Sequence, residues 1–552
     1  MGDVNVAGII SIIIFYLLIL AIGLFAAWKK NKNTCKATSV EEETNEVILA
    51  GRSIGLLVGC FTMTATWVGG GYINGTAESV YTSGLSWAQA PWGYATSLAI
   101  GGLVFAKPMR EAKYVTMLDP LQHKYGKVMG AFLYIPAFLG ETFWSASILA
   151  ALGATLSVIL GLEMNVSVVI SACIAVGYTF FGGLYAVAFT DVVQLACITV
   201  GLWLTVPFAL KYEKVENIID TSSVWVGTIE KEKAGLWADY AMLLICGGIP
   251  WQVYFQRVLS SKTPRQAQFL SFVASFGCFA SALPAVLIGA AARSMDWTNV
   301  TNSGLDVISE NGTIVDTRLV LPMVLQYLTP GWVSFIGLGA ISAAVMSSAD
   351  SSVLSASSMF GHNIYKLIFR PKASAKEIIW VIRIGIVVVG GFATLVGLTV
   401  KSIYALFHLC SDLVFVVLFP QLVGAVHVSF VNTYGSIVAY VIGLILRITG
   451  GESLIGLPAV IKYPFYDYKS DHQNFPFRTM AMIISFLLLL SVSYLTNYLF
   501  DNGVLSEKYD FLHTLERREK KKGLSQPTEI PMQEKFTKKV YTYDNSGMNR
   551  DS

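Results

Sequence analysis

The chain has 552 residues, of which 54% are apolar and only 14% charged, with a formal net charge of +3. A soluble domain carries about 25% charged residues, so this composition excludes a disordered chain, a fibrous repeat and an ordinary cytosolic enzyme. The small net charge gives no basic surface for nucleic acid. The mean hydropathy of +0.58 is concentrated in apolar blocks, many of them long enough to cross a bilayer. The fold class that follows is an all-α, multi-spanning membrane protein, because a helix satisfies its own backbone at membrane depth.

The first block, roughly 6–28, has Asp3 as its only preceding charge and is followed by Trp28-Lys29-Lys30. A signal peptide carries its positive charges ahead of the apolar run. The block therefore reads as a first spanning helix with its N-terminus outside. Further spans are predicted near 50–79, 85–106, 128–158, 166–184, 189–210, 237–260, 267–291, 321–365, 377–399, 402–425, 433–449 and 479–500. That makes about thirteen membrane helices. Lysines and arginines cluster in alternate connections: Lys29, Lys30, Lys32, Lys36 and Arg52; Lys107, Arg110, Lys113, Lys124 and Lys127; Arg257, Lys262 and Arg265; Lys366, Arg370, Lys372 and Lys376. All lie on one side if the N-terminus is outside, and that side is the cytoplasm. The polar segment 501–552, with Arg517, Arg518 and Lys520–Lys522, then reads as a disordered cytoplasmic tail.

Four N-x-Ser/Thr sequons occur, at Asn74, Asn165, Asn299 and Asn311. Asn299 and Asn311 fall in a long connection predicted to be external and are the expected glycosylation sites. Asn165 sits close to a membrane end, and Asn74 lies inside a span as a chance match. The seven cysteines, Cys35, Cys60, Cys173, Cys197, Cys246, Cys278 and Cys410, show neither metal-ligand spacing nor a disulfide framework and read as inert thiols. There is no P-loop, no metalloprotease or nucleophile motif and no Cys/His cluster. A primary pump and an enzyme are both disfavoured.

Two spans are broken. The second contains Gly69-Gly70-Gly71 within Thr64–Thr76, and the seventh contains Gly247-Gly248-Ile249-Pro250-Trp251. Glycine weakens a helix interior by about 1 kcal/mol relative to alanine, and proline removes a donor. The breaks lie five spans apart, on helices of opposite direction, which is the pattern of two inverted five-helix repeats meeting at a binding site. The alternative is close packing of small residues. The repeats are placed at about 50–210 and 237–449 of a transmembrane domain spanning 1–500.

Polar groups gather at the same depth. Asp191 and Gln194 share a helix face. The run Ala344–Ser352 sets four hydroxyls, those of Ser347, Ser348, Ser351 and Ser352, around Asp350. Hard oxygens without nitrogen or sulfur suit a cation such as Na⁺; a purely structural hydrogen-bond network is the alternative. Glu141, Asp412 and Glu452 are further acids in or near spans whose roles stay open. Trp67 and Trp251 flank the breaks, Trp144 follows Glu141 by three residues, and Tyr94 lies midway along the third span. Aromatic faces there would hold a cation unable to donate hydrogen bonds, such as a quaternary ammonium. A sugar site would instead need several polar side chains. A cation channel would show a repeated filter loop, and none is present.

Three stretches, Phe61–Glu78, Gly247–Ser261 and Ala344–Ser352, resemble the sodium/solute symporter family, and within it the choline-transporting branch. The resemblance runs from about residue 5 to 500. It implies a leucine-transporter-type core of ten helices, with one helix before it and two after. It also implies Na⁺-driven, Cl⁻-dependent choline uptake that feeds acetylcholine synthesis in cholinergic nerve terminals, at the plasma membrane and on synaptic vesicles. By the same resemblance, a principal Na⁺ site uses the carbonyls of Ala65 and Val68 with Ala344, Ser347 and Ser348. A second Na⁺ site uses Asp191, Gln194 and Asp350, with Thr66 possible. The choline cage is Trp67, Tyr94, Trp144 and Trp251. Phe407 stands where close relatives carry tryptophan, and Glu452 also matches the choline branch. The resemblance assigns no chloride site. It leaves room for homo-oligomers, for trafficking proteins on the tail, and for another small organic cation or solute as substrate.

Overall fold

The computed structural model describes residues 6–33, 45–46, 48–181, 184–298, 308–309, 311–469, 472–512 and 514. Cys35, Asn299 and most of the tail lie outside them. The chain divides into two units, Met1–Leu499 and Phe500–Ser552, and the site lies in the first.

The described residues are mostly helical. In chain order the main helices are α1 (Val6–Asn33), α2 (Leu56–Trp67), α3 (Gly70–Thr82), α4 (Ala90–Ile100), α5 (Lys127–Leu160), α6 (Met164–Phe181), α7 (Leu184–Leu210), α8 (Ala234–Gly247), α9 (Gln252–Ser260), α10 (Pro264–Arg293), α11 (Val320–Tyr327), α12 (Gly331–Met359), α13 (Ala375–Thr399), α14 (Ile403–Leu413), α15 (Thr433–Thr449) and α16 (Phe477–Asp501). π-helical turns extend α4 over Gly101–Ala106, α12 over Phe360–Phe369 and α14 over Val414–Leu418. A two-stranded hairpin pairs Tyr466 with Gln473 and Asp467 with His472.

Among the described residues, seven helices are long and apolar enough to cross a membrane, and the bent pair α2–α3 makes an eighth if taken as one span. The expected thirteen is larger for a physical reason. The break after Gly247 leaves α8 and α9 at 14 and 9 residues, each too short alone. Gly8–Gly23 within α1, Met164–Gly177 and Thr433–Thr449 are apolar but also short, and α4 has only 11 residues before its π-helical turn. The expected span 321–365 is corrected: Leu328–Pro330 separates the short α11 from α12, which runs on to Phe369 as one 39-residue helix.

Burial orders the helices from centre to rim. The apolar window of α5 is 89% buried and that of α12 82%, against 28% for α16 and 33% for α13. Helix α5 is therefore the central post, with α12, α13 and α14 packed around it. The outward faces of α10, α13 and α16 carry exposed Phe276, Ile384 and Leu487, as a lipid-facing surface requires.

The α2–α3 pair bends by 46°. Val68 leaves the helical region with ψ 55° and Gly69 is extended. Glycine is required here by close approach. A Cβ on Gly69 would sit 1.7 Å from Ser348 Oγ, and one on Gly70 would sit 1.9 Å from Val345 Cγ2. At the second break, Trp251 Nε1 donates to the freed Gly247 carbonyl at 2.7 Å.

Asp412 and Glu452 belong to a buried ion network. Arg447 Nε donates to Asp412 Oδ1 at 2.6 Å, and Arg447 Nη2 to Glu452 Oε2 at 2.7 Å. Arg478 reaches Glu452 Oε2 at 2.8 Å, Asp412 Oδ2 at 3.2 Å and Asp239 Oδ2 at 3.5 Å. These groups fasten α15 and α16 to α14 and α8. Asn311 is exposed in the turn between the bridged Ile308 and Ile314, and Asn165 is exposed at the start of α6. Asn74 is sealed inside at 2% exposure. Of the six described cysteines, all free, only Cys278 and Cys410 are fully buried.

Replacing Gly70 with Val should overpack the α3–α12 contact and destabilise the fold by about 1–3 kcal/mol or more. The check is a lowered melting temperature of the detergent-purified protein, and an unchanged one would show that α3 and α12 can separate freely.

Candidate functional site

Both helix breaks face the middle of α5. Trp67 ends α2 and Trp251 precedes α9, so each ring leaves its helix where the backbone unwinds. Trp144 stands between them on α5, at ring-centroid distances of 5.6 Å from Trp67 and 5.3 Å from Trp251. Tyr94 of α4 lies 4.9 Å from Trp67 and 5.9 Å from Trp144. Phe407 of α14 completes the cluster, 5.0 Å from Trp144 and 5.8 Å from Tyr94. All five side chains are at most 2% exposed. The Tyr94 hydroxyl is held by Ser411 Oγ at 2.8 Å, whereas the indole N–H groups of Trp67 and Trp144 are buried without partners. The four expected cage residues thus come together, with Phe407 as a fifth wall.

The oxygen-rich face is built by α2, α7 and α12. The last helical hydrogen bond of α2 runs from Val68 N to Thr64 O at 2.9 Å, and bonding resumes only with Ile73 N to Gly69 O. The carbonyls of Ala65 through Val68 are those that a helix end leaves without intrahelical partners. Ser348 Oγ faces them, 3.5 Å from Thr66 O and 3.5 Å from Ala344 O. This arrangement can supply carbonyl and hydroxyl oxygens to a small cation.

The second expected set is only partly joined. Asp191 accepts hydrogen bonds from Ser347 Oγ and from Thr62 Oγ1, the latter at 2.5 Å. Gln194 is fully buried with neither amide atom partnered. Asp350 bonds elsewhere: its Oδ1 accepts from Thr179 Oγ1 of α6 at 2.7 Å, while Oδ2 is buried and unpartnered. Unsatisfied buried oxygens of this kind are costly unless a cation or water meets them.

Arg257 overturns a sequence expectation. Grouped above with cytoplasmic loop charges, it is 1% exposed inside α9. Its Nη2 lies 3.6 Å from Asp191 Oδ2 and donates to Ser351 Oγ at 2.5 Å, and its Nη1 donates to Gln256 Oε1 at 3.0 Å. The neighbouring Gln252 and Gln256 are buried as well. Nine residues following a break, with three long polar side chains and no apolar run, were the available signal. Thr62 and Thr179 carried none, because a helical threonine usually turns its hydroxyl to its own backbone. Among the described residues, no group of three or more His, Cys, Asp or Glu side chains could hold a transition metal.

Interrupted membrane helices that place oxygens and aromatic rings side by side at their breaks define a secondary transporter rather than an enzyme. The comparisons specify the class. The model of the sodium:solute symporter family matches residues 47–443. The chain is 57% identical over 509 residues to high-affinity choline transporter 1 of Drosophila melanogaster, covering 92% of this chain and 81% of that protein. It is 54% identical over 532 residues to the Homo sapiens protein of that name, covering 94% and 90%. A solved structure of a Na⁺-coupled sialic acid symporter superposes with a TM-score of 0.70 at 17% identity, over 89% of this chain and 98% of that one, and so shares its fold. The chain belongs to the sodium:solute symporter family, whose members are membrane transporters and not enzymes.

Removing the Arg257 guanidinium should leave Asp191 as an uncompensated buried charge. Arg257→Gln is expected to destabilise the protein by about 3–5 kcal/mol, and the double variant with Asp191→Asn should recover much of the loss. Melting temperatures of the four proteins in one double-mutant cycle check this coupling.

Proposed function

We propose that this chain is a Na⁺-driven, Cl⁻-dependent choline symporter that works by alternating access. The observation that carries the reading is the buried cluster of Trp67, Tyr94, Trp144, Trp251 and Phe407 where the two helix breaks meet. A trimethylammonium group cannot donate hydrogen bonds, and aromatic faces attract it through their quadrupoles. Identity above 50% to proteins named for choline transport, over more than 90% of the chain, supports the same substrate.

In this mechanism Na⁺ binds the carbonyls of Ala65 and Val68 with Ala344, Ser347 and Ser348. A second Na⁺ uses Asp191, Gln194 and Asp350, with Thr66 nearby. The ions hold the broken α2–α3 pair against α12. Choline then enters the cage, whose rings, now 4.9–5.9 Å apart between centroids, must part to seat a cation between two faces. The core rocks inward and releases both. The membrane potential contributes about 2.3 kcal/mol per charge per 100 mV, and the Na⁺ gradient adds to it.

The thirteen-helix count follows if each broken pair is one pass. The repeats then pair the α2–α3 break with the α8–α9 break, and a five-helix second repeat closes with the α14 segment, short of the bound near 449 given above, leaving α15 and α16 appended. Exposed Lys107, Lys113, Lys262, Arg265, Arg370 and Lys376 support a cytoplasmic face for those connections, an external N-terminus and an internal tail. Exposed Asn311, together with Asn299, is then available for glycosylation. The physiological role is choline supply for acetylcholine synthesis in cholinergic neurons, at the plasma membrane and on synaptic vesicles.

The test is radiolabelled choline uptake in cells expressing the chain, with Na⁺ present or replaced by a large organic cation. Saturable uptake that vanishes without Na⁺ is expected; surface-expressed protein inactive in both media would refute the substrate. Trp144→Ala should weaken choline affinity about tenfold or more, the scale of a desolvated cation–π contact together with lost packing. Ser348→Ala should instead raise the Na⁺ concentration for half-activation. Unchanged Na⁺ activation would reduce the hydroxyl to a packing role.

A further inference from the structure

Glu141 takes no part in the sites assigned above. It stands in the middle of α5, 1% exposed and three residues before Trp144, so the two share a face one helical turn apart. Its Oε2 accepts a hydrogen bond from Ser352 Oγ at 3.0 Å, and Ser352 Oγ also meets Ser145 Oγ at 2.8 Å. Its Oε1 is buried without a hydrogen-bond partner. The Val253 backbone N–H, two residues beyond Trp251, faces the carboxylate from the start of α9. The adjacent Gly140 packs against Val414 and the Cys410 carbonyl, with the Trp251 ring edge just beyond: a Cβ there would come within 2.7, 2.9 and 3.8 Å of them. The carboxylate thus lies one helical turn from Trp144 on α5 and is bonded to the serine run of α12 through Ser352.

A carboxylate in this position is under-compensated. It holds one side-chain hydrogen bond and one facing backbone N–H at membrane depth, where an ionised group needs a counter-charge. Arg257 is near enough to attract the carboxylate but forms no direct ion pair with it, because its guanidinium is engaged by Asp191, Ser351 and Gln256. The aromatic faces alone are a poor discriminator, since a neutral tert-butyl group has the shape of trimethylammonium and gains the same dispersion and burial. A full negative charge acts at longer range than a ring quadrupole and strengthens where water is excluded.

We propose that Glu141 is the counter-charge of the aromatic cage and makes it select quaternary ammonium ions over neutral molecules of the same shape. This rests on the choline reading above and extends it to a residue that reading does not use. The charge acts on the ammonium group and not on the substrate's hydroxyl.

The experiment is equilibrium binding of radiolabelled choline to the detergent-purified full chain, with three competitors: choline itself, tetramethylammonium, and the neutral isostere of choline in which carbon replaces nitrogen. Glu141→Gln keeps the shape and removes the charge; Glu141→Asp keeps the charge. In the Gln variant, choline and tetramethylammonium should both weaken about tenfold or more, while the neutral isostere changes less than about twofold. The Asp variant should retain the selectivity for cations, and the Na⁺ dependence of binding should stay as in the wild type. Equal weakening of all three competitors, or a shifted Na⁺ dependence, would mean that Glu141 only holds α5 to α12. Weakening of choline and the neutral alcohol with tetramethylammonium unaffected would make it a hydroxyl acceptor and overturn the proposal. Wild-type protein that binds no choline would defeat the parent reading, and the proposal would fall with it.

Discussion

A backbone carbonyl freed at membrane depth must be met by something other than water, and the structure is organised around two places where that demand is created deliberately. At the first, α2 stops at Trp67 and α3 restarts at Gly70, with Ser348 and Val345 of α12 pressed so close that only glycine fits at positions 69 and 70. Ser348 turns its hydroxyl to the exposed helix end. At the second, Trp251 turns its indole N–H back to Gly247. Each break therefore combines an oxygen-bearing helix end with a tryptophan. The oxygen-rich face and the aromatic cluster adjoin because both arise from the same interruption.

Buried charge serves two separate ends. The Asp191–Arg257 contact joins α7 to α9 and borders the serine run of α12, so it links the lower half of a broken helix to the oxygen-rich face. The network of Asp239, Asp412, Arg447, Glu452 and Arg478 ties the two last helices to α8 and α14. Neither is a cheap route to stability, because desolvating ions offsets much of their attraction. Both give directional contacts that lipid-like packing between helices cannot supply.

Several features were legible in the amino-acid sequence because their signals are local. Long apolar blocks, glycine and proline at two corresponding depths, and tryptophans beside them each depend on neighbours in the chain. The four aromatic residues that cluster at the breaks were singled out this way. Other features depended on remote partners. Arg257 reads as a loop charge until α7 places Asp191 beside it. Asp350 was grouped with Asp191 by the family resemblance, and its hydrogen bond from Thr179 of α6 was not legible in the chain. The apolar run from 321 read as one span because hydropathy outweighed the local break signal Thr329-Pro330-Gly331, where α12 begins. Glu452 could not be interpreted until Arg447 and Arg478 were seen on either side of it.

The sequence by itself determined that the chain lives in a membrane, where its helices break, and which residue types gather at the breaks. Those properties follow from hydropathy and from the intrinsic cost of glycine and proline in a helix. Only the tertiary structure decided which of the buried polar groups are satisfied and which are left open: Asp191 paired, Gln194 and one oxygen each of Asp350 and Glu141 unpartnered. Pairing at depth is a matter of distances of a few ångströms between helices far apart in the chain, and no spacing along one helix encodes it.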